Sequence, residues 1–143
     1  MLTEYKNYHI SDSQESLQVD QVINLLRSTY WAKDRPESII KQSIANSLCF
    51  GVFDKESDTQ IGFARCVTDY CTAYWLCDVV IHEKWRGLGL GKSLLNYIVS
   101  HEKLQGLMGI LSSRDSQNLY KQFGFKSTTS FMRLKFNKEK LTR

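Results

Sequence analysis

The chain has 143 residues, 42% of them apolar and 24% charged, which is one domain's length with enough apolar surface for a core and excludes disordered and fibrous classes. A formal net charge of +4 falls short of the dense basic face of a nucleic-acid binder, so no nucleic-acid partner is expected. No stretch reaches the length of a membrane span and Met1 to Lys6 carries no apolar signal region, so a cytoplasmic protein with no membrane partner is expected.

Tyr5 to Ile10 reads as a first strand, followed by the polar run Ser11 to Ser16. Val19, Val22, Ile23, Leu26 and Tyr30 recur at helical spacing, which predicts a helix through about Trp31. Pro36, the sole proline, suits the first turn of a second helix whose apolar side carries Ile40, Ile44 and Leu48. Leu48 to Phe53 and Gln60 to Thr68 then read as a hairpin around a polar turn at residues 54–58. Ala73 to Ile81 is nearly all apolar and predicts a central strand covered on both faces, interrupted by one acid, Asp78.

A glycine-rich loop, Arg86-Gly87-Leu88-Gly89-Leu90-Gly91, follows directly. A helix begins at Leu90, with Leu94, Leu95 and Ile98 on one face, and runs to about Lys103. Met108 to Leu111 is a short strand, and strand–loop–helix–strand predicts a parallel crossover. A short helix over 115–123 ends at Gly124, in the place of a left-handed C′ residue. Phe131 to Phe136 reads as a last strand. The order predicts an α/β (α+β) fold: a mixed, mostly antiparallel central sheet flanked by helices, with one parallel βαβ crossover. With no linker or repeat, residues 1–143 are expected to form a single domain.

The four cysteines, Cys49, Cys66, Cys71 and Cys77, form no C-x-x-C pair and have no histidine near them at ligand spacing, so free thiols and no metal are expected. The loop's main-chain amides, at a helix start with no intrahelical partners, make a cradle for a diphosphate, and Arg86 and Lys92 add positive charge. The spacing G-x-G-x-G is neither a dinucleotide fingerprint nor a P-loop. Taken alone, a glycine turn that merely lets helix pack on strand is an equal reading.

Val79 to Leu95 resembles the acetyl-CoA motif of the GNAT superfamily of N-acetyltransferases, (Arg/Gln)-x-x-Gly-x-(Gly/Ala), met by Arg86, Gly89 and Gly91. Leu119-Tyr120-Lys121-Gln122-Phe123-Gly124-Phe125 resembles the family's second signature, Leu-Tyr-x-x-x-Gly-Phe. The likeness is to small, single-domain bacterial members that carry Tyr-Trp-Ala and Arg-Asp where Tyr30-Trp31-Ala32 and Arg114-Asp115 stand. Ser113 replaces a frequent Asn, and Glu83 a frequent Pro.

The resemblance implies that Val80, Ile81 and the segment Arg86, Gly87, Leu88, Gly89, Leu90, Gly91, Lys92 and Ser93 hold acetyl-CoA as co-substrate, with Ile81 N–H on the acetyl carbonyl. It implies Tyr120 as the acid for the departing thiolate. Asp78, a lone carboxylate in an apolar strand, is a candidate base or substrate anchor, and equally a structural ion-pair partner. Trp31, Tyr70, Tyr74 and Trp75 are candidates for an acceptor pocket, while His9, His82 and His101 are read as bystanders. The expected activity is acetyl transfer to the amine of a small molecule or protein. A non-catalytic acyl-CoA sensor and a nucleotide-binding interaction domain are the alternatives. Oligomeric state is not legible, a homodimer being the commonest symmetric assembly.

Overall fold

Apolar residues at Val22, Ile23, Leu25 and Leu26 fold as a helix, α1 (Val19–Arg27), whose buried stripe lies on one face of a sheet. The computed structural model describes residues 2–134. Around α1 are β1 (Leu2–Glu4), β2 (Tyr8–Ser11), α2 (Glu37–Ala45), β3 (Leu48–Asp54), β4 (Gln60–Thr68), β5 (Ala73–Ile81), α3 (Leu90–Val99), β6 (Met108–Ile110) and α4 (Gln117–Lys121). The strands form a sheet in chain order, β1 to β6, antiparallel at every junction except the parallel pair β5–β6. The expected mixed, mostly antiparallel sheet with one parallel crossover is what forms.

The core divides across the sheet. On one face α1 and α2 bury Val22, Leu26, Ile40 and Ile44 against Phe63 and Val80. On the other, Leu90, Leu94, Leu95 and Ile98 of α3 pack on Phe50, Val52, Ala64 and Leu76. A reciprocal pair ties α1 to the sheet: Gln18 N–H donates to Gln60 Oε1 (2.9 Å), and Gln60 N–H donates to Gln18 Oε1 (3.0 Å). Gln60 is thereby buried with its polar atoms satisfied.

Several boundaries differ from the sequence reading, each for a local reason. Tyr5 to Ile10 is not one strand: Tyr5 N–H donates to Tyr8 O (2.8 Å) and turns the chain between β1 and β2. The first helix stops at Arg27 because the Ser28 and Thr29 hydroxyls donate to the carbonyls of Leu25 (2.6 Å) and Leu26 (2.7 Å), as side chains that compete with the ladder do. Tyr30 and Trp31 therefore leave the helix and stand exposed. The third helix ends at Val99, where the buried ring of His101 takes over: its Nδ1 accepts Lys103 N–H (3.1 Å), leaving Nε2 to donate to Asp12 (2.7 Å). Residues 131–134 carry no strand, and Asn137 onward, with Lys135 and Phe136 of the expected last strand, lies outside the described residues.

Candidate active site

The site begins with an irregularity in β5. Phe63 pairs with Val80 and Arg65 with Cys77, so Asp78 and Val79 both stand opposite Ala64. This is a bulge, and Asp78 occupies its left-handed position with φ of 55°. The extra residue reverses the strand's alternation. Tyr74 and Leu76 face α3 before it, whereas Val80 faces α1 and α2 after it and Val79 and Ile81 pack toward α3. Asp78 sits at the reversal and turns toward the loop joining α1 to α2.

Three donors converge there. Trp31 Nε1–H donates to Asp78 Oδ1 at 3.0 Å, and Arg35 Nη1 and Arg65 Nε donate to Oδ2 at 2.8 and 3.0 Å. The carboxylate is 2% exposed. Burial pushes its pKa up, but the Arg35 hydrogen bond and the two guanidinium charges outweigh that and hold it below the ordinary carboxylate value. Asp78 is thus a buried anion neutralised by two arginines.

Beyond Trp75 the sheet opens. The parallel pairing of β5 with β6 covers Ala73–Met108, Tyr74–Gly109 and Trp75–Ile110 only. Close approach at this junction requires glycine: a Cβ on Gly109 would lie 2.6 Å from the Tyr74 hydroxyl. From Leu76 onward that edge of β5 faces no strand among the described residues. His82 N–H donates to Ile61 O (2.8 Å) on the β4 side, so strand alternation turns the Ile81 N–H to the open edge. Arg86 Nε donates to Ile81 O (3.0 Å) and pins the following loop to the strand's end.

A cavity of about 310 Å³ occupies the opening, lined by β5 from Trp75 to Val79, by residues 111–116, by Tyr120 and by Tyr30, Trp31, Arg35 and Arg65. The expected coverage of β5 on both faces does not hold here, and Trp75 is 46% exposed to this space. Tyr30 and Arg114, far apart in sequence, meet: the guanidinium carbon lies 3.7 Å from the Tyr30 ring centroid. Tyr120 sits half-buried in the wall, and its hydroxyl finds no hydrogen-bond partner among the described residues. Burial raises its pKa, so the phenol stays protonated at neutral pH.

The glycine loop lies just past the open edge. Gly87 and Gly89 both adopt φ of 81°, and a Cβ at either would meet nothing within 4 Å, so open space lies above them. Conformation, rather than crowding, requires glycine there. Among the described residues, the main-chain N–H groups of 87 to 92 have no partner, and the first intrahelical bond of α3 is Ser93 N–H to Gly89 O (3.0 Å). Ser93 is engaged already, its hydroxyl accepting from Tyr8 Oη (2.7 Å), and Lys92 and Leu88 are exposed. The donor set, unpaired amides at a helix start beneath open space, fits a diphosphate.

The structure therefore brings Asp78 and Tyr120 to one cavity and sets Val80, Ile81 and the loop 86–93 at its neighbouring edge. Trp31 and Trp75 line the cavity, but Tyr74 is buried against Gly109, and Tyr70 lies near Lys103 in a separate depression. No histidine enters: His9 stacks on Phe53, His82 Nδ1 accepts Lys84 N–H and His101 bonds Asp12. Ser113 Oγ accepts Ser116 N–H (3.0 Å) and shapes the turn into α4. Cys77 borders the cavity as a neutral thiol, its pKa pushed up to about 11 by burial. Arg35 and Arg65 were not singled out in the sequence. The available signal was one arginine and one acid, each alone in adjacent apolar strands.

Residues 45–127 match the acetyltransferase (GNAT) domain family. An uncharacterized N-acetyltransferase of Prochlorococcus marinus, ycf52-like, is 34% identical over 103 residues, 70% of this chain, and the match spans only 57% of that relative's length. The ycf52 protein of Pyropia yezoensis is 28% identical over 85% of this chain and 72% of its own. The crystal structure of a Xanthomonas campestris protein assigned to the GNAT family superposes with a TM-score of 0.85 at 33% identity, covering 93% of this chain and 96% of that one. The open β5 edge, the unpartnered amides at the start of α3 and these relatives agree: the chain belongs to the GNAT family of acetyltransferases.

Proposed function

We propose that the protein is an N-acetyltransferase, moving the acetyl group of acetyl-CoA to an amine by direct attack on the thioester. One observation carries the reading. Among the described residues, the edge of β5 left unpaired beyond Trp75 runs into the unpartnered amides of 87–92, and the Tyr120 hydroxyl, also without a partner there, lies in the cavity beside that edge.

Acetyl-CoA supplies an activated thioester when bound. The amides of 87–92 hold its diphosphate, with Arg86 and Lys92 adding positive charge. Val80 and Ile81 line the edge that takes the pantetheine arm, and the Ile81 N–H donates to the carbonyl oxygen as charge develops on it. The amine attacks in its neutral form, having shed its proton to solvent at the open mouth. A carbon–nitrogen bond forms as the carbon–sulfur bond breaks; Tyr120 Oη gives its proton to the departing thiolate, and the proton shed by the acylated nitrogen passes to solvent, from which the phenolate is reprotonated. Asp78 acts in this reading through the arginines it fixes, because its carboxylate is fully engaged by Trp31, Arg35 and Arg65. The cavity's two walls hold donor and acceptor in line, which lowers the entropic part of the barrier. The same reading takes residues 1–143 as one domain acting in the cytoplasm.

The test is calorimetry with acetyl-CoA, together with a free-thiol assay over a panel of amines. Binding with amine-dependent thiol release is expected. An absence of heat at millimolar acetyl-CoA would refute the reading, and binding without turnover on any amine would leave an acyl-CoA-binding module.

A further inference from the structure

The acceptor side of the cavity has an unbalanced charge. Its inner wall carries Arg35 and Arg65, whose side chains are 24% and 13% exposed, against one buried carboxylate, Asp78. Asp78 takes one nitrogen from each guanidinium, Arg35 Nη1 and Arg65 Nε, and Ser47 Oγ takes Arg65 Nη1. A guanidinium offers five N–H donors in a rigid fork, so both arginines keep unspent donors, and both line the cavity. The other carboxylate lining the cavity among the described residues is Asp115, at the rim, where Arg114 Nε already pairs with it at 3.2 Å.

This wall is wrong for a second cation and right for an anion. A polyamine, or a lysine in a basic peptide, would bring positive charge toward two guanidiniums with no unpaired carboxylate to receive it. A carboxylate or phosphate meets preorganised forks whose positions Asp78 fixes. Trp31, Trp75 and Tyr30 supply a half-exposed aromatic wall for the carbon skeleton between the two ends.

We infer that the acceptor is a small amine that also bears an anionic oxygen group, a carboxylate or a phosphate, seated on the free edges of Arg35 and Arg65. This rests on the acetyl-transfer reading and names the substrate class of the same site. Asp78 and Trp31 are then positioning residues: they hold the two forks at fixed spacing without touching the reacting atoms.

The experiment compares kcat/KM for matched amines that differ only in the anion. Amino acids are set against their amides, aminoalkyl phosphates against the corresponding amino alcohols, and spermidine serves as the cationic probe. The anionic member of one pair should be preferred about tenfold or more, as one charge-assisted hydrogen-bonded contact gives. Which pair shows it identifies carboxylate or phosphate. In Arg35→Gln, where Asp78 keeps Arg65 and Trp31, the anionic-to-neutral ratio should fall toward one through KM rather than kcat. Arg35→Lys should restore part of it. Equal use of both members, a preference for spermidine, or a ratio unmoved by Arg35→Gln overturns the inference. Calorimetry with CoA on the same preparations separates the two failures. CoA heat without anion preference refutes this inference alone, whereas no CoA heat and no turnover refutes it together with the acetyl-transfer reading.

Discussion

Tyr120 and Phe125 face each other across the end of α4, their rings at 78° with centroids 6.0 Å apart. Phe125 N–H donates to Tyr120 O (3.3 Å) and Gly124 N–H donates to Lys121 O (3.2 Å). Those are the two bonds of a Schellman closure, and the ring pair is its accompanying apolar contact. The Leu-Tyr-x-x-x-Gly-Phe signature is thus one mechanical unit. Glycine at φ of 88° lets the chain reverse, and the reversal lays Phe125 beside the tyrosine whose hydroxyl enters the cavity.

Replacing that glycine tests the unit. Gly124→Ala forces a left-handed residue with a Cβ, at a cost of about 1–2 kcal/mol. The melting temperature should fall by about 3–6 °C in a thermal scan. Turnover should fall further than that loss of stability explains, because Tyr120 moves, while acetyl-CoA affinity changes little.

Tyr120→Phe keeps the ring contact with Phe125 and removes only the proton donor. Turnover should drop about 100-fold, in the range of a lost general acid, with the dissociation constant for acetyl-CoA unchanged in calorimetry. A variant retaining full activity would show that Tyr120 is not the acid.

Asp78→Asn leaves two guanidiniums beside a neutral amide, and should destabilise the fold by about 3 kcal/mol as read from denaturant midpoints. The acid limb of stability should change with it. The folded carboxyl titrates below its ordinary value of 3.8, so its contribution is present above that pH and is lost as pH falls through the folded value. Wild type should therefore lose stability steeply below about pH 4, and the variant less so. A variant of undiminished stability that loses turnover, and with it the rise of activity on the acid side of the pH profile, would instead make Asp78 the base.

The cradle is best tested at Gly91. A Cβ there meets only Ile81 and Leu119, each at 4.0 Å, and its backbone is free of the positive φ that Gly87 and Gly89 require. Gly91→Glu should abolish acetyl-CoA binding by placing a carboxylate near the diphosphate, with a melting temperature close to wild type. Gly89→Glu should lose binding and also some stability, because a side chain is strained at φ of 81°.

The limits of β4 and β5 and the left-handed turn at Gly124 were legible because each follows from neighbouring residues: apolar runs bounded by turn formers, and a glycine after a helix. The end of α1 was missed for an equally local reason. Tyr30 continues the apolar spacing, but the hydroxyls of Ser28 and Thr29 close the helix first. The early hairpin escaped notice because Tyr5 and Tyr8 fit a strand pattern as well as they fit the two sides of a turn.

The sequence by itself determined the strand–loop–helix unit with its glycines, and with it the family, because backbone conformation and amphipathic spacing are set over a few residues. Only the tertiary structure decided what surrounds Asp78. Its partners come from positions 31, 35 and 65, which are brought together by α1, α2 and β4 packing on one face. The bulge that aims it there is a mismatch in pairing between two strands, and such a mismatch has no signature in either strand alone.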